Sequence, residues 1–320
     1  MQLPFSVTTL EQPPASVMSD RDTAFRAYNP SLAWFRGNLM AAFRVSTMSR
    51  CLSRQIDFPR YYRGEAPPFI NRVGIGWLEP DAKHVRAPAV LDVAGRGDCA
   101  WSIGYEDPRI VAVNDRLFIL ASDRDERWTF RLVLIELDES LRVVTELPVT
   151  PDVGAFLHQK NWNPFVEGNR LRCVGSVSPH NVYEIDIDSG HARLEAETSS
   201  RAFSALERTH EMRGGAGYIA HGDDWLGICR AVLREDPEAN TNQYWCVAYT
   251  FSRKHPFEIT GRSQPFAFGD HTAEARPIQM ATGIASSGDD ILIAYGENDC
   301  DMKVARIPRA RLVDEIEVLS

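Results

Sequence analysis

Two carboxylates and a guanidinium fall within five residues at Tyr105-Glu106-Asp107-Pro108-Arg109, where an apolar strand pattern begins. Similar polar openings recur downstream. His158-Gln159-Lys160-Asn161-Trp162-Asn163-Pro164-Phe165 sets a lysine beside an indole, and Glu211-Met212-Arg213-Gly214-Gly215 brings another ion-pairing set. The second strands that follow end on Arg44, Asp123-Arg124-Asp125, His180, Arg230 and Glu297-Asn298-Asp299. Acidic and amide groups bind hydroxyls in pairs, an indole offers its face to a sugar ring, and arginines grip phosphate with two parallel bonds. A carboxylic acid among them can protonate the oxygen that leaves a broken glycosidic bond. An inverting hydrolase needs a second carboxylate to activate water, whereas phosphate is its own nucleophile and needs a basic cradle. This mixture is chemistry for a sugar and an anion.

Some of these residues have plainer explanations. Asn29-Pro30 and Asn163-Pro164 are common turn formers, and on composition alone Asn29 and Asn163 are structural. Asp123-Arg124-Asp125-Glu126 lacks the spacing of a calcium loop and reads as a solvated, partly self-paired charge run. The eight histidines are scattered without the spacing of a helical zinc site, so no metal and no cofactor is expected. Trp225 and Trp245 read as packing residues, while Trp101 and Trp162 read as ligand platforms. Glu106-Asp107-Pro108-Arg109 is different, because a turn does not need three charges.

The elements that position these groups form a repeat. Five times a small or turn residue opens an apolar strand, which meets a polar turn and returns as a second strand. The copies run from Asn29 to Arg44, Asp107 to Arg124, Asn163 to Ser178, Gly214 to Arg230 and Gly283 to Asp299. Their turns are Arg36-Gly37-Asn38, Asn114-Asp115-Arg116, Glu167-Gly168-Asn169, Gly222-Asp223-Asp224 and Ser287-Gly288-Asp289. A further hairpin element follows each copy, as at Val73–Trp77, Leu132–Leu137, Val182–Ile187, Tyr244–Tyr249 and Lys303–Ile307. Two hairpins make a four-stranded antiparallel blade, so the fold class is all-β, a five-bladed β-propeller around a central channel. The start of one strand and the end of the next share an end of each hairpin, so the polar groups should ring one mouth of that channel. Uneven spacing of the copies implies insertions over one face, from Met48 to Gly97 and around Glu235 to Gln243. No linker composition divides the 320 residues, so one domain is expected, with residues 1–25 as an irregular lead-in or closing strand.

Composition excludes several classes. The net charge of -9 disfavours a nucleic-acid partner, and 10% aromatic residues beside 25% charged ones are ordinary for a globular protein. No apolar stretch is long enough to span a bilayer. Met1-Gln2-Leu3-Pro4-Phe5 lacks a basic segment followed by an apolar run, and the six cysteines occur singly. A cytoplasmic protein with reduced thiols is the expectation, with Cys173, Cys229 and Cys246 buried in strands.

The chain resembles glycoside hydrolase family 130, the β-mannoside phosphorylases, and the related propeller β-mannosyltransferases. The matching pieces are Gly104-Tyr105-Glu106-Asp107-Pro108-Arg109-Ile110, Lys160-Asn161-Trp162-Asn163-Pro164-Phe165, Arg213-Gly214-Gly215 and Tyr295-Gly296-Glu297-Asn298-Asp299-Cys300. Asn29-Pro30 with Arg44 fits the first blade, and the similarity runs in order from about residue 28 to 307. The resemblance implies an inverting enzyme acting on β-mannosides, with Asp107 as general acid working through a sugar hydroxyl. It implies a sugar-binding set of Asn29, Arg44, Glu106, Arg109, Lys160, Asn161, Trp162, Arg213, Tyr295 and Asp299. Arg44, Lys160 and Arg230 would hold phosphate. Arg230 departs from the family, whose phosphorylases tend to carry histidine there, and an arginine could instead serve a diphosphate leaving group.

The expected partners are a small sugar and either phosphate or a sugar nucleotide. The leading reading transfers a mannosyl unit between a β-mannoside and phosphate. A second uses GDP-mannose as donor, and a third is a sugar-binding propeller without turnover. Plain hydrolysis needs Glu297 or Asp299 as a second carboxylate about 6.5–9.5 Å from the first.

Overall fold

The computed structural model describes residues 3–18, 23–52, 60, 63–93, 99, 102–124, 129–153, 159–199, 201–236, 241–269 and 277–319, with backbone alone for 234–236 and 241–242. Trp101, Trp128, Asp125, Glu126, His158 and, within the Met48–Gly97 insertion, residues 53–59, 61, 62 and 94–97 lie outside them.

Five antiparallel sheets follow one another around a ring. Blade 1 runs from the channel outward as Arg26–Phe35, Asn38–Ser46, Phe69–Leu78 and Val85–Val90. Blade 2 is Glu106–Val113, Arg116–Arg124, Phe130–Leu137 and Val143–Pro148, and blade 3 is Asn163–Glu167, Arg170–Val177, His180–Ile185 and His191–Thr198. Blade 4 holds Tyr218–His221, Asp224–Asp236, Thr241–Ser252 and Ile259–Arg262, with Glu211–Arg213 paired to the mouth end of its second strand. Blade 5 takes three strands from Gln279–Ser287, Asp290–Glu297 and Asp301–Pro308. Its fourth is Ser6–Thr9, which pairs antiparallel with Asp301–Pro308 and closes the ring with the opposite end of the chain.

The hairpin turns work for the reason their sequences suggest. Arg36 and Gly37 both take positive φ, as do Asn114, Gly168, Gly222 and Gly288 in the other four turns. That matches the twist of the flanking strands. Apolar side chains on the blade faces form five clusters, each shared by two neighbouring blades. Blades 5 and 1 meet through Phe43, Leu292 and Val304, and blades 3 and 4 through Phe165, Tyr249 and Phe251. Such a protein has no single central core; its core is five seams around a channel.

Two expectations need correction. Cys51 and Cys300 form a disulfide with Cα atoms 5.5 Å apart, while Cys99, Cys173, Cys229 and Cys246 are free and buried. The pair is 249 residues apart in sequence, and only closure of blade 5 against blade 1 brings its members together. His180, expected at the mouth, begins the third strand of blade 3 and packs its ring against Phe251 at 4.8 Å in the seam with blade 4. Its side chain is one turn of chain past the strand end that the repeat pointed to.

Burial pushes the His180 imidazole down from 6.5 to about 4. The native state therefore refuses a proton that the unfolded chain takes up below 6.5, so stability falls with pH across that window. Between about pH 6.5 and pH 5 the loss should reach about 2 kcal/mol, and His180→Phe should remove it. Chemical denaturation of both proteins across this range measures the difference.

Candidate functional site

Inner strands in blades 1 and 2 begin with the same device. The register slips between Tyr28 and Ser31, and again between Glu106 and Arg109, leaving Asn29-Pro30 and Asp107-Pro108 as bulges. Asn29 and Asp107 are left-handed, with φ of 52° and 51°. Bulges of this kind re-aim a side chain out of the ladder. Here the two meet: Asn29 Nδ2 donates to Asp107 Oδ1 at 2.9 Å, both residues buried. Gly296 makes room for the contact, since a Cβ there would stand 1.9 Å from Asn29 Oδ1.

Glu106 and Asp107 are almost wholly enclosed, at 1% and 4% exposure. Two buried carboxylates require cations, and they come from three blades. Arg44 Nη1 lies 3.3 Å from Glu106 Oε2 and 3.4 Å from Asp107 Oδ1. Lys160 Nζ lies 3.2 Å from Glu106 Oε2 and 3.4 Å from Asp107 Oδ2, and Arg124 Nε lies 3.0 Å from Glu106 Oε1. Phe130 forms a floor for two of these cations, 4.0 Å from Arg124 and 4.3 Å from Lys160. Burial alone would raise the Asp107 pKa, but Lys160 and Arg44 outweigh it and hold the carboxyl at about 2. For Glu106 burial is likewise overcome, by Arg44, Lys160 and Arg124, and its carboxyl stays well below the usual range.

A further layer orients these groups. Asn71 Oδ1 accepts from Arg44 Nε at 2.9 Å, Arg44 Nη2 at 2.7 Å and Ser46 Oγ at 2.7 Å. Its Nδ2 donates to Ser102 Oγ, which donates on to Glu106 Oε1 at 3.0 Å. Asn71, Ser102 and Arg124 were missed as site residues. Arg124 was read as part of a solvated run, and it is instead a counterion of the buried Glu106. Asn71 carried one signal: it is an amide, beside Arg72, at the mouth end of a third strand whose other residues are apolar or glycine.

The other expected residues divide. Asn161 is left-handed with a buried, unpartnered Oδ1, and Arg213 pairs with Glu211 at 2.8 Å. Arg230 is buried on the second strand of blade 4, directly opposite Arg213 in the ladder. Its Nε donates to the Gly214 carbonyl, and its Nη2 has no partner among the described residues. Asp299 stands at φ 50° beside the Cys300 bridge, and burial raises its pKa, with Arg44 opposing and Asp107 adding. Glu297 is occupied by Lys303 and by Gln279. Arg109 follows Asp107 by two residues on the first strand of blade 2 and donates through Nη1 to the Thr282 carbonyl of blade 5. Burial pushes it down to about 9.

Three placements depart from the expectation. Trp162 is stacked on Tyr183 with ring centroids 4.4 Å apart and presents no open face for a ligand. Tyr295 is 1% exposed, stacked on Phe268 in the seam between blades 4 and 5. Arg44 and Lys160 are already committed to carboxylates, so they are not free phosphate ligands. Among the described residues, the buried mouth and channel cations without an ion pair are Arg109 and Arg230. No group of His, Cys, Asp and Glu among these residues is arranged to hold a metal ion. No helix among them is long and apolar enough to cross a membrane.

Lys160 is the largest influence lowering Asp107 and is the most exposed cation of the trio, at 26% for its side chain against 17% for Arg124 and 3% for Arg44. Lys160→Met should therefore raise the Asp107 pKa from about 2 to above 3.8 without unfolding the protein. A carboxyl-carbon NMR titration reads this directly.

No family model matches the sequence, and no curated protein does. The fold, in contrast, matches solved structures along almost its whole length. One is a β-1,2-mannobiose phosphorylase from Listeria innocua in complex with β-1,2-mannobiose, with a TM-score of 0.61 and 14% identity, covering 95% of this chain and 98% of that one. Another is a mannose phosphorylase from Leishmania mexicana in complex with phosphate ion, with a TM-score of 0.60 and 11% identity, covering 100% and 92%. A third belongs to glycoside hydrolase family 130, described as mannoside phosphorylases that include hydrolases of β-1,2 mannosidic linkages, with a TM-score of 0.64 and 13% identity over 90% and 85%. At these identities the likeness is one of fold: a five-bladed propeller shared with family 130 proteins, in keeping with the resemblance carried by Glu106-Asp107-Pro108-Arg109.

Proposed function

We propose that this protein is an inverting carbohydrate-active enzyme that transfers a mannosyl unit between a β-mannoside and phosphate. The observation that carries the reading is Asp107, buried on a left-handed bulge in a mouth that also holds the buried Arg230. Among the described residues Arg230 is the mouth cation left without an anion, and a phosphate would supply one. In breakdown, a phosphate oxygen bonds to the anomeric carbon while the bond to the departing sugar breaks on the opposite face. Because its carboxyl is ionised, Asp107 first takes a proton from the incoming dihydrogen phosphate, and that proton, relayed by a sugar hydroxyl, goes to the departing oxygen. In synthesis Asp107 takes a proton from the acceptor hydroxyl, that oxygen attacks the anomeric carbon of mannose 1-phosphate, and phosphate leaves. A carboxyl held at about 2 is already ionised for the synthetic role.

Three other readings are weaker on specific grounds. A sugar nucleotide needs an aromatic shelf for its base, and Trp162, the expected shelf within the described residues, is covered by Tyr183. Hydrolysis needs an ionised second carboxylate, whereas Glu297 is occupied by Lys303 and Asp299 is raised by burial. A simple sugar-binding propeller has no use for a buried acid ringed by three cations.

The test offers mannose 1-phosphate and GDP-mannose separately to the purified protein, each with mannose and short β-mannosides. Phosphate release from mannose 1-phosphate is the expected result. Asp107→Asn should lower kcat by about 10³-fold with KM little changed. Arg230→Met should raise the KM for the phosphate donor about tenfold or more and leave acceptor KM alone. GDP release instead would make the protein a nucleotide-sugar transferase, and silence with both donors would sink the catalytic reading.

A further inference from the structure

The central channel contains a second chamber that the proposed reaction does not use. The inner strands run from the mouth toward the opposite face, and a cavity of about 300 Å³ occupies the far part of their span. All five blades line it, with Leu32, Val111, Phe165, Tyr218 and Ile284 contributing apolar wall. Arg109 extends from blade 2 to the Thr282 carbonyl of blade 5 and so crosses the channel between the Asp107 bulge and this chamber.

Among the described residues, two side chains that line the chamber carry three unsatisfied donors. Arg109 is 3% exposed, and its Nε and Nη2 have no partner. These two nitrogens form the edge of the guanidinium that takes both oxygens of a carboxylate side-on. Trp225 is 5% exposed, and its Nε1 likewise has no partner. Buried donors left unmade are costly, and a paired acceptor relieves that cost. Among the described residues no acidic side chain lines the chamber; the nearest charge acting on Arg109 is that of Asp107, above it. The walls, however, are too apolar for a strongly hydrated phosphate. The volume lies at the lower end of the range for small-molecule sites.

We propose that the far chamber of the channel binds a small monocarboxylate with an apolar body, its carboxylate on Arg109 and its body among Leu32, Phe165 and Ile284. The site is separate from the transfer reaction and stands whether or not the mannosyl reading holds.

Benzoate is the probe, titrated into the full-length protein by calorimetry and by the indole N–H resonance of Trp225, assigned through its loss in Trp225→Phe. Saturable binding with Kd below about 1 mM and a shifted Trp225 resonance are expected. Ala112→Phe narrows the chamber from the blade 2 strand and should abolish binding; Ala33→Phe does the same from blade 1, in case the first variant fails to fold. Absence of heat and shift up to about 10 mM benzoate would overturn the proposal. So would binding that survives in the folded Ala112→Phe or Ala33→Phe protein, or inorganic phosphate moving the Trp225 resonance where benzoate does not.

Discussion

Burying Glu106 and Asp107 side by side is the constraint from which much of this structure follows. An isolated buried carboxylate would protonate or unfold its surroundings, and two adjacent ones repel each other as well. The protein answers with Arg44 from blade 1, Arg124 from blade 2 and Lys160 from the approach to blade 3. These cations can converge only if the three blades stand at fixed angles around the channel. The apolar seams set those angles, and the seams in turn need the ring to close. A polar cluster of this kind adds little net stability over well-packed apolar residues, but losing one partner leaves an unpaired buried charge. The cluster therefore ties the arrangement of the first three blades to one solution.

Backbone conformation and electrostatics act together at the same residue. The bulge that gives Asp107 its positive φ also removes it from the ladder, so its side chain is free to meet Asn29 across the channel. Asn29 reaches that point by an equivalent bulge, and Gly296 of blade 5 leaves the space it occupies. Three blades are thus represented in a single hydrogen bond. Strain in a non-glycine residue at this conformation persists where its surroundings fix it, and such positions gather at functional sites.

Much of this was legible in the sequence because it is local. The five hairpin turns are written in Gly37, Asn114, Gly168, Gly222 and Gly288, and the repeat of polar residues at strand starts identified the mouth. Charged triplets such as Glu106-Asp107-Arg109 stand out because no strand needs them. What stayed hidden depends on separation in the chain. Cys51 meets Cys300, and Trp162 meets Tyr183, only through pairings fixed by the closed ring. Asn71 looked like any amide at a strand end, and its role came from Arg44, a neighbour on the adjacent strand. Arg124 appeared solvated because its partner, Glu106, belongs to the other strand of the same hairpin. Patterns of type and period reveal which residues are unusual; they do not reveal which unusual residues satisfy one another.

The Cys51–Cys300 bridge gives the molecule a property that no single blade has. Ser6–Thr9 closes the ring by hydrogen bonds, and the bridge joins the same two blades covalently, enclosing the chain from the third strand of blade 1 to the second strand of blade 5. A protease that nicks any loop within that span leaves two fragments still linked, with every seam able to stay in register. The same geometry makes the junction where Ser6–Thr9 meets Asp301–Pro308 an arbitrary place to begin the ring. New ends could be cut between other blades, as in a circular permutant, while the crosslink continues to hold the original opening shut.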